Sequence, residues 1–519
     1  MLLAARSVGA AMNLFSTDMR DWLRASVCIA LLSFALMTPA YIAPPMMHDS
    51  FWIDWVWADQ FNMMVRQGTL YPRWLPLSHE GLGSPAFYFY PPGAFWLTAI
   101  FSLTGLTTYQ TILAAFTFAF VMSGLTMYGW LRPRTSRPLL GALFYVAAPY
   151  HVCDFYLRGA LAESCAFAVL PLVAVSLDRC MKGEGWLPLA FAYAALIYLH
   201  LPAALLTSLF FIAPTASHAA WQRRHTAPLR SMILGCLLGL GLAALYLVPA
   251  LTLQRHIDVG KLWALPLYQP RYWNLFSPAT LADPVHAPIF GTMLVLLGGA
   301  SLALLRYRSS RNWSLYALVI SLLVAGALPF LWTLPLVERI QFPWRAIMLI
   351  EFAVATALAS ATVPWVLGLL YVTPALFNAS LFLSPIKSSD RPISGLRTYH
   401  PDVLEYLPRG TTTVVEIDEA TEAVTRQRRH PLLVEIDGRS VSRRFYFPIW
   451  QAVCQGTPVP TSPDPQLKLV SWQGSGCKVV RTSTPQERIG GVISLFSLLP
   501  ALTLARRFRR RRTDQSEAK

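Results

Sequence analysis

Long runs without a single charged side chain constrain this chain more than any other feature. Asp, Glu, Lys and Arg are absent from 25–47, 81–131 and 186–222, and 346–377 carries only Glu351. A helix crosses a bilayer with about 20 apolar residues, so each run is long enough for at least one span. Charged residues make up 13% of the chain, whereas about 25% is usual for a soluble protein. The sequence therefore predicts a mainly α-helical polytopic membrane protein.

Basic residues lie in short clusters between the apolar runs, which is typical of cytoplasmic loops. The formal charge of +16 therefore does not indicate nucleic-acid binding, and no nucleic-acid partner is expected. If 81–131 contributes one span and the N-terminus is cytoplasmic, all of the clusters fall on the cytoplasmic side. The clusters are Arg132, Arg134 and Arg137; Arg179 and Lys182; Arg223, Arg224 and Arg230; Arg306, Arg308 and Arg311; and Arg506, Arg507 and 509–512.

This choice predicts about twelve transmembrane helices. The predicted spans are 25–45, 108–131, 138–153, 160–178, 186–200, 203–219, 231–251, 288–305, 313–333, 345–360, 363–378 and 490–505. The exported segments are then 46–107, 154–159, 252–287, 334–344 and 379–489. Within the first of them, 51–66 reads as an amphipathic helix with Asp54 and Asp59 on its solvated face, and 91–105 becomes a helix on the outer membrane face. Both termini are expected in the cytoplasm.

The segment 379–489 has a different pattern from the rest of the chain. Apolar and polar residues alternate in it, and Asp437-Gly438 is typical of a hairpin turn, so we expect a small β-rich exported domain. Cys454 and Cys477 are the two cysteines of this polar region, and in an exported domain they are candidates for a disulfide. The predicted domains are a membrane module (1–378), whose first exported loop is 46–107, this β-rich domain (379–489), and a last helix with a basic cytoplasmic tail (490–519).

Ionisable residues concentrate at the predicted outer face, where a charge at the membrane edge is costly and therefore a candidate for function. His48 and Asp49 follow the first span directly. A helix C-terminus favours a cation, so nothing about the helix end explains the Asp49 carboxylate. Glu80 lies in a glycine-containing loop, which favours a close approach to a cavity, although a plain surface loop fits this pattern equally well.

A second group of ionisable residues follows the third predicted span. Asp154 and Arg158 are four residues apart, which a simple helical ion pair also explains. Glu163 lies inside the next apolar run and needs a partner, which Arg158 or a metal ion would supply. His200 marks a break in 186–222. Arg345, beside Trp344, either anchors a helix at the interface or binds a phosphate, whose geometry a guanidinium matches.

Several short motifs resemble one bacterial family. They are Gly68-Thr69-Leu70-Tyr71-Pro72-Arg73-Trp74, Phe87-Tyr88-Phe89-Tyr90-Pro91-Pro92, Tyr156-Leu157-Arg158-Gly159-Ala160-Leu161-Ala162-Glu163, Gln341-Phe342-Pro343-Trp344-Arg345 and Thr484-Pro485-Gln486-Glu487-Arg488. With the first span and the His-Asp pair they resemble the polytopic membrane proteins labelled "6-pyruvoyl-tetrahydropterin synthase-related". The zinc-histidine site of the soluble enzyme in that label has no counterpart in this sequence.

The layout is also similar to that of type C (GT-C) glycosyltransferases. By that similarity Asp49 matches the acidic residue of the first exported loop, and Asp154 matches an acidic residue of the second. Positions 49–50 are Asp-Ser rather than an acidic pair, so the choice of base among Asp49, Asp154 and Glu80 stays open. For a transferase of this kind, His48, Arg158, Glu163, His200 and Arg345 are the candidates to bind substrate or phosphate. Asp49, Asp154 and Glu163 are candidate ligands of a divalent cation such as Mg²⁺ or Mn²⁺.

These observations predict a transferase of the bacterial inner membrane. It would move a sugar from a polyprenyl-phosphate donor to a glycan, lipid or protein acceptor of the envelope, on the periplasmic face. A carboxylate would accept the proton of the acceptor hydroxyl, and cations would stabilise the departing phosphate. Two alternatives remain at this level: a transporter or flippase of a lipid-linked precursor, and a non-catalytic scaffold of envelope assembly.

Overall fold

The computed structural model describes most of the helical part of the chain and a β-rich region near its end. The described residues are 2–42, 49–221, 226–264, 266–282, 286–361, 368, 372–373, 395–397, 400–411, 433–436 and 439–499. His48, Asp437 and Gly438, most of the predicted span 363–378 and the basic tail lie outside these ranges.

Helices dominate the described chain, and the protein is a mainly helical, multi-pass membrane protein. Among the described residues, six helices are long and apolar enough to cross a bilayer: Met19–Ile42 (within Leu2–Ile42), Thr108–Leu131, Leu161–Met181, Leu201–Trp221, Ala287–Leu304 and Pro343–Ser360. A seventh is formed if Ala227–Leu242 and Ala244–Thr252, which are bent by 73°, count as one broken span.

The prediction of about twelve spans is therefore wrong for the described part of the chain. The region 138–153 divides into Pro138–Val146 and Pro149–Tyr156, because Pro149 lacks a backbone N–H and cannot continue the preceding helix. In place of the predicted spans 186–200 and 313–333, the structure has the helices Leu187–Leu199 and Arg311–Ala325, with only 13 and 15 residues. Gly326, in the left-handed conformation, ends the second helix. At 1.5 Å per residue these helices are shorter than the apolar core of a bilayer.

The first loop, which connects the first two spans in the sequence, folds into helices. Phe51–Arg66 and Gly93–Ser102 are both present, and the second has ten residues, which is too short to cross a membrane. Asn62 joins both of them to the next span, because its side chain donates to Thr111 at 3.2 Å and accepts from the Thr98 hydroxyl at 3.0 Å. The prediction of a non-spanning helix within 91–105 agrees with this arrangement.

Short helices and turns connect the longer ones. The α-helical pieces are Ser78–Gly81, Ala86–Phe89, Gly260–Ala264 and Pro278–Leu281, and the 3-10 turns are Gln254–His256, Pro266–Tyr268, Pro270–Trp273, Pro329–Thr333, Val337–Ile340, Pro343–Ala346 and Leu404–Tyr406. A last helix covers 485–499. Its N-terminus is a capping box, in which the Glu487 carboxylate accepts from the Thr484 N–H and the Thr484 hydroxyl accepts from the Glu487 N–H.

The β-rich region consists of two small antiparallel sheets. Its strands are β1 (Leu433–Ile436), β2 (Arg439–Phe445), β3 (Trp450–Cys454), β4 (Thr457–Val459), β5 (Ser462–Pro463), β6 (Leu469–Trp472) and β7 (Cys477–Arg481). The orders are β1-β2-β6-β5 and β4-β3-β7, with an irregular register in the β2–β6 pair between Ser442 and Phe445. The small β-rich region near the C-terminus is thus confirmed.

This β-rich region packs directly on the first loop. Phe445 donates its N–H to the Leu82 carbonyl at 2.8 Å, and the rings of Trp74 and Trp450 meet edge to face at 5.1 Å. Glu487 adds a polar junction, because its Oε1 accepts from the Tyr88 hydroxyl at 3.0 Å and lies 3.4 Å from Arg73 Nε. The first loop, the β-rich region and the last helix therefore share one interface.

Candidate active site

Arg158 organises a buried cluster of ionisable groups between the short helix Pro149–Tyr156 and the span Leu161–Met181. Its Nη1 lies 2.7 Å from Asp154 Oδ1 and 2.6 Å from Glu163 Oε2. The same nitrogen donates to the Tyr150 hydroxyl at 2.9 Å, and that hydroxyl donates to Glu163 Oε1 at 2.7 Å. Ser164 donates to the second Asp154 oxygen at 2.9 Å. Arg158 thus supplies the partner that Glu163 requires inside its apolar helix.

Local sequence explains why these side chains converge. Pro149 starts a two-turn helix that presents Tyr150 and Asp154 on one side, and Gly159, at φ +59°, turns the chain into the next helix. Glu351 holds the start of that short helix, since its carboxylate accepts from the backbone N–H groups of Tyr150 and His151 at 2.5 and 3.1 Å. A carboxylate at a helix N-terminus is favoured by the helix dipole.

Arg345 brings a second cation to the cluster from a distant part of the chain. Its Nε lies 3.3 Å from Glu163 Oε2, and its Nη1 donates to the Ile340 carbonyl at 2.8 Å. The ion pair lacks hydrogen-bond geometry, because Arg345 Nε has no hydrogen-bond partner among the described residues. Phe342 packs under the guanidinium, with its ring centre 4.8 Å away. His200 is buried near Glu163, close enough for their charges to interact.

Asp49 is exposed and sits at the edge of this cluster. It has a left-handed backbone with φ +44°, and the next residue, Ser50, donates its N–H to the Arg158 carbonyl at 3.0 Å. Asp49 is close enough for its charge to act on Arg158 and on Asp54. The structure therefore places Asp49 and Arg345 in one region with Arg158 and Glu163, although Asp49 and Arg345 are far from that pair in the sequence.

Asp54 departs from its prediction as a solvated residue. It is 2% exposed, and its carboxyl accepts from the Leu161 N–H at 3.1 Å. Burial raises the pKa of Asp54 to about 8, the Leu161 hydrogen bond opposes the shift, and the Asp49 charge adds to it. The sequence pattern of 51–66 could not show that Asp54 is buried, because the segment that follows Arg158 contacts it from a distant part of the chain.

Asp59, on the same helix, is half-buried and behaves differently. Burial acts to raise its pKa, but the interaction with His400, the hydrogen bond from Thr108 and the charge of Arg397 outweigh burial and lower the pKa. The Thr108 hydroxyl donates to Asp59 Oδ1 at 2.5 Å. The two aspartates of one helix therefore have opposite pKa shifts, which spacing along the helix alone does not predict.

Glu405 is a functional candidate that sequence reasoning missed. It belongs to the 3-10 turn Leu404–Tyr406, in a part of the chain that has no recognisable motif. Burial raises the pKa of Glu405 to about 7, and the Asp402 charge adds to this shift. Burial also raises the pKa of Tyr268, with contributions from Glu405 and Asp49, so both carboxylates lie near that phenol. Glu405 thus joins the acidic edge that Asp49 begins.

Glu80 lies away from the cluster. It is exposed, its backbone is left-handed at φ +57°, and its carbonyl accepts from Arg443 of β2 at 3.0 Å. The loop around Glu80 therefore supports the β-rich region. The structure also joins Cys454 to Cys477 by a disulfide across the β3–β7 pair.

A divalent cation would have to compete for ligands that already face Arg158. Of its three candidate ligands, Asp154 and Glu163 both form ion pairs with that guanidinium. Within the described ranges, no group of three or more His, Cys, Asp or Glu side chains is arranged to hold a metal ion. The cation remains a prediction, and the steps proposed below do not use it.

Comparisons with known proteins show similarity in structure. No family model matches the sequence, and no curated protein matches it. Among solved structures, the chain is similar to a cryo-EM structure of the arabinofuranosyltransferase AftD from Mycobacteria, at 16% identity and a TM-score of 0.41. The match covers 78% of this chain and 29% of AftD, so the chain spans less than a third of that protein's length.

Proposed function

We propose that the protein transfers a sugar from a polyprenyl-phosphate donor to an envelope acceptor at the outer face of the inner membrane. The observation that carries this proposal is the position of the exposed Asp49 carboxylate beside a buried cluster containing two guanidinium groups. Ser50 and Arg158 are bonded through their backbones, so the carboxylate and the cations are held in register. A base beside fixed cations is what glycosyl transfer from a lipid phosphate requires.

Asp49 acts as the base in this proposal. An acceptor hydroxyl passes its proton to the Asp49 carboxylate while its oxygen forms a bond to the anomeric carbon of the donor sugar. The bond between that carbon and the phosphate oxygen breaks, and the polyprenyl phosphate leaves with the bonding electrons. Asp49 suits this role because it is exposed, whereas Asp154 is buried and bonded to Arg158 and Ser164.

Arg345 is the cation that we assign to the departing phosphate. Arg158 is held between two carboxylates, which neutralise it and make it a positioning residue for the loop that carries Asp49. Arg345 instead faces Glu163 without hydrogen-bond geometry, and its hydrogen bonds go to the uncharged Ile340 carbonyl and Gln341 amide, so a phosphate competes for it at lower cost than for Arg158. A guanidinium binds phosphate oxygens in a bidentate manner, which favours Arg345 over a lysine at this position.

Glu405, Tyr268 and His200 surround the proposed reaction centre. Glu405 and Tyr268 lie on the Asp49 side, where the acceptor would enter, and His200 lies on the Glu163 side. We assign these residues to acceptor orientation and to the polar wall of the site. The lipid environment of the spans supplies the surface for the polyprenyl tail.

The glycan profile of the cell envelope tests this function. In a strain lacking the gene, Asp49→Asn or Arg345→Ala protein at wild-type levels should fail to restore the glycan that wild-type protein restores. Asp21→Asn is the matched control, because Asp21 is an exposed carboxylate at the opposite end of the first span. Full restoration by both site variants would refute the proposal.

A further inference from the structure

A cavity of about 430 Å³ lies outside the cluster just described. It is lined by Trp263, Gln269, Pro270, Arg271, Trp332, Thr333, Glu338 and Arg339. These residues come from 252–287, from the turn Pro329–Thr333 and from 334–344, of which the first and last segments are predicted to be exported. The volume suits a small head group rather than a whole lipid.

The polar lining of the cavity favours an anion. Two arginines and one glutamate contribute a net positive charge. Gln269 fixes Arg271, because its Oε1 accepts from Arg271 Nε at 2.7 Å while its own amide donates to the Trp263 carbonyl at 2.8 Å. The ion pair of Arg339 with Glu338 has a separation of 3.8 Å and is solvent-exposed, so it restrains Arg339 only weakly.

Trp263 positions one of the two arginines at the wall of the cavity. The guanidinium of Arg339 stands over its indole ring, 5.2 Å from the ring centre. This cation–π contact holds the Arg339 guanidinium where it can bind an oxyanion in the cavity.

Large apolar side chains are exposed beside the cavity. Leu328 and Phe330 precede Trp332 and are 44% and 62% exposed, and Leu334 and Leu336 follow it at 43% and 60%. In a membrane protein such residues face acyl chains. A positively charged pocket with an apolar rim therefore matches an amphiphile whose phosphate enters the pocket while its tail stays in the bilayer.

We propose that this cavity is a docking site for the phosphate head group of an anionic lipid, separate from the reaction centre. The segment 337–346 links the two places, because it carries Glu338 and Arg339 at one end and Arg345 at the other. Gln341 lies between them with φ +67° and accepts from Arg345 Nη1 at 3.2 Å. A lipid bound in the cavity would thus lie one short segment from Arg345. If the bound lipid is the donor, the cavity holds it before it reaches the reaction centre. That role rests on the proposed function, whereas the binding of an anionic lipid does not.

Native mass spectrometry of the full-length protein in detergent tests the site with four probes. These are undecaprenyl phosphate, phosphatidylglycerol, undecaprenol and inorganic phosphate. We expect the phosphate-bearing lipids to bind, and the alcohol and the free anion to bind at least tenfold more weakly. Arg271→Ala and Arg339→Ala should each weaken lipid binding about tenfold, which is the usual effect of losing one charged hydrogen bond. Arg255→Ala is the control, since Arg255 is an exposed arginine of the same loop that does not line the cavity.

The outcomes separate this inference from the proposed function. Preference for undecaprenyl phosphate over phosphatidylglycerol would support the donor as occupant, and equal binding of both would support a general anionic-lipid site. Unchanged lipid binding in the arginine variants, or equal binding of undecaprenol, would overturn the inference. Asp49→Asn should bind lipid normally, so a failure of glycan transfer and a failure of lipid binding are observed in different experiments.

Discussion

Individual carboxyl groups in this protein differ in pKa because their surroundings differ. The stability of the protein as a function of pH tests this for Asp54. Its pKa of about 8 in the folded state lies above that of the unfolded chain, so the folded state binds the extra proton between about pH 4 and pH 8. The stability contributed by this group is complete below pH 4 and is lost as the pH rises to 8. Asp54→Asn should therefore raise the melting temperature relative to wild type by an increment that grows with pH and levels off above about 8.

Thermal unfolding of the purified protein between pH 5 and pH 9 measures this increment. Asp59→Asn is the control on the same helix. Its folded pKa is lowered, so its stabilising effect is present above the unfolded pKa, and its Asn variant should melt below wild type over the whole range. A pH-independent difference for Asp54→Asn would show that this carboxyl is not buried in protonated form.

Glu163 tests the buried ion pairs. Glu163→Gln removes the charge that faces both Arg158 and Arg345, which leaves two buried cations with one carboxylate. We expect a loss of about 3–5 kcal/mol in unfolding free energy, as is typical when one member of a buried pair is removed. Asp178→Asn removes a partly exposed partner of Arg134 and Lys182 and should cost about 1 kcal/mol or less.

Denaturant unfolding monitored by far-UV circular dichroism compares the two variants. Similar losses in both would contradict the buried, low-dielectric character of the Arg158 cluster. The Asp154–Arg158 pair was predictable from its spacing of four residues. Arg345 was a predicted site residue, but its contact with Glu163 was not predictable, because the two are 182 positions apart in the sequence. Only the packing of Pro343–Ser360 against the short helix Pro149–Tyr156 brings them together.

At the scale of elements, one glycine joins the two loops that carry the site. Gly159 has φ +59°, and a Cβ placed on it would meet the Phe51 Cβ at 2.5 Å and the Phe51 nitrogen at 2.9 Å. Gly159→Ala should therefore displace the start of Phe51–Arg66 and weaken the Ser50–Arg158 hydrogen bond. We expect a loss of more than 2 kcal/mol in stability together with reduced transfer activity.

Gly183→Ala is the matched variant for this element. Gly183 also has a positive φ, +73°, but nothing lies within 4 Å of the added Cβ, so only the backbone strain of about 1–2 kcal/mol applies. Melting temperature and glycan restoration distinguish the two variants. Equal effects would contradict the close contact between the two loops.

Some elements were predictable from sequence and others were not, for physical reasons. Phe51–Arg66, the helix in 91–105 and the β-rich region follow from local patterns of apolar residues, proline and turn residues. The number of spans could not be predicted in this way, because hydropathy cannot distinguish a spanning helix from a shorter helix that is buried by its neighbours. Pro138–Val146 and Leu187–Leu199 are as apolar as the true spans but lack their length. The domain limits and the family resemblance stay predictions.

At the scale of the whole molecule, the predicted orientation can be tested through the Cys454–Cys477 disulfide. In a variant whose other five cysteines are alanine, a membrane-impermeant maleimide should label intact spheroplasts only after reduction, if the β-rich region is exported. Arg308→Cys, placed in the disulfide-free version of this variant, should react only after lysis, because 306–311 is predicted to be cytoplasmic. Labelling of Arg308→Cys in intact spheroplasts would show the opposite orientation and contradict the placement of Asp49 on the outer face.

The interface of the first loop, the β-rich region and the last helix explains how distant segments enclose one site. Glu487 contacts Arg73 and Tyr88 of the first loop, and its carboxylate also lies 3.6 Å from Arg481 at the end of β7. The segment 400–411, which includes Glu405, also contacts the first loop, since Trp57 of Phe51–Arg66 donates to Asp402 at 2.8 Å. Nothing in the local sequence predicts such contacts, since each depends on the packing of several elements.

The most direct test of the central claim is consumption of a polyprenyl-phosphate sugar by the purified protein in nanodiscs. The substrates are a lipid extract and an envelope extract from the strain that lacks the gene, and a nanodisc has no compartments across which transport could be measured. Wild-type protein should convert a polyprenyl-phosphate sugar to polyprenyl phosphate and modify the envelope glycan, and Asp49→Asn should be at least 100-fold slower, as expected when a general base is removed. No consumption by wild-type protein, or equal rates for wild type and Asp49→Asn, would contradict the account.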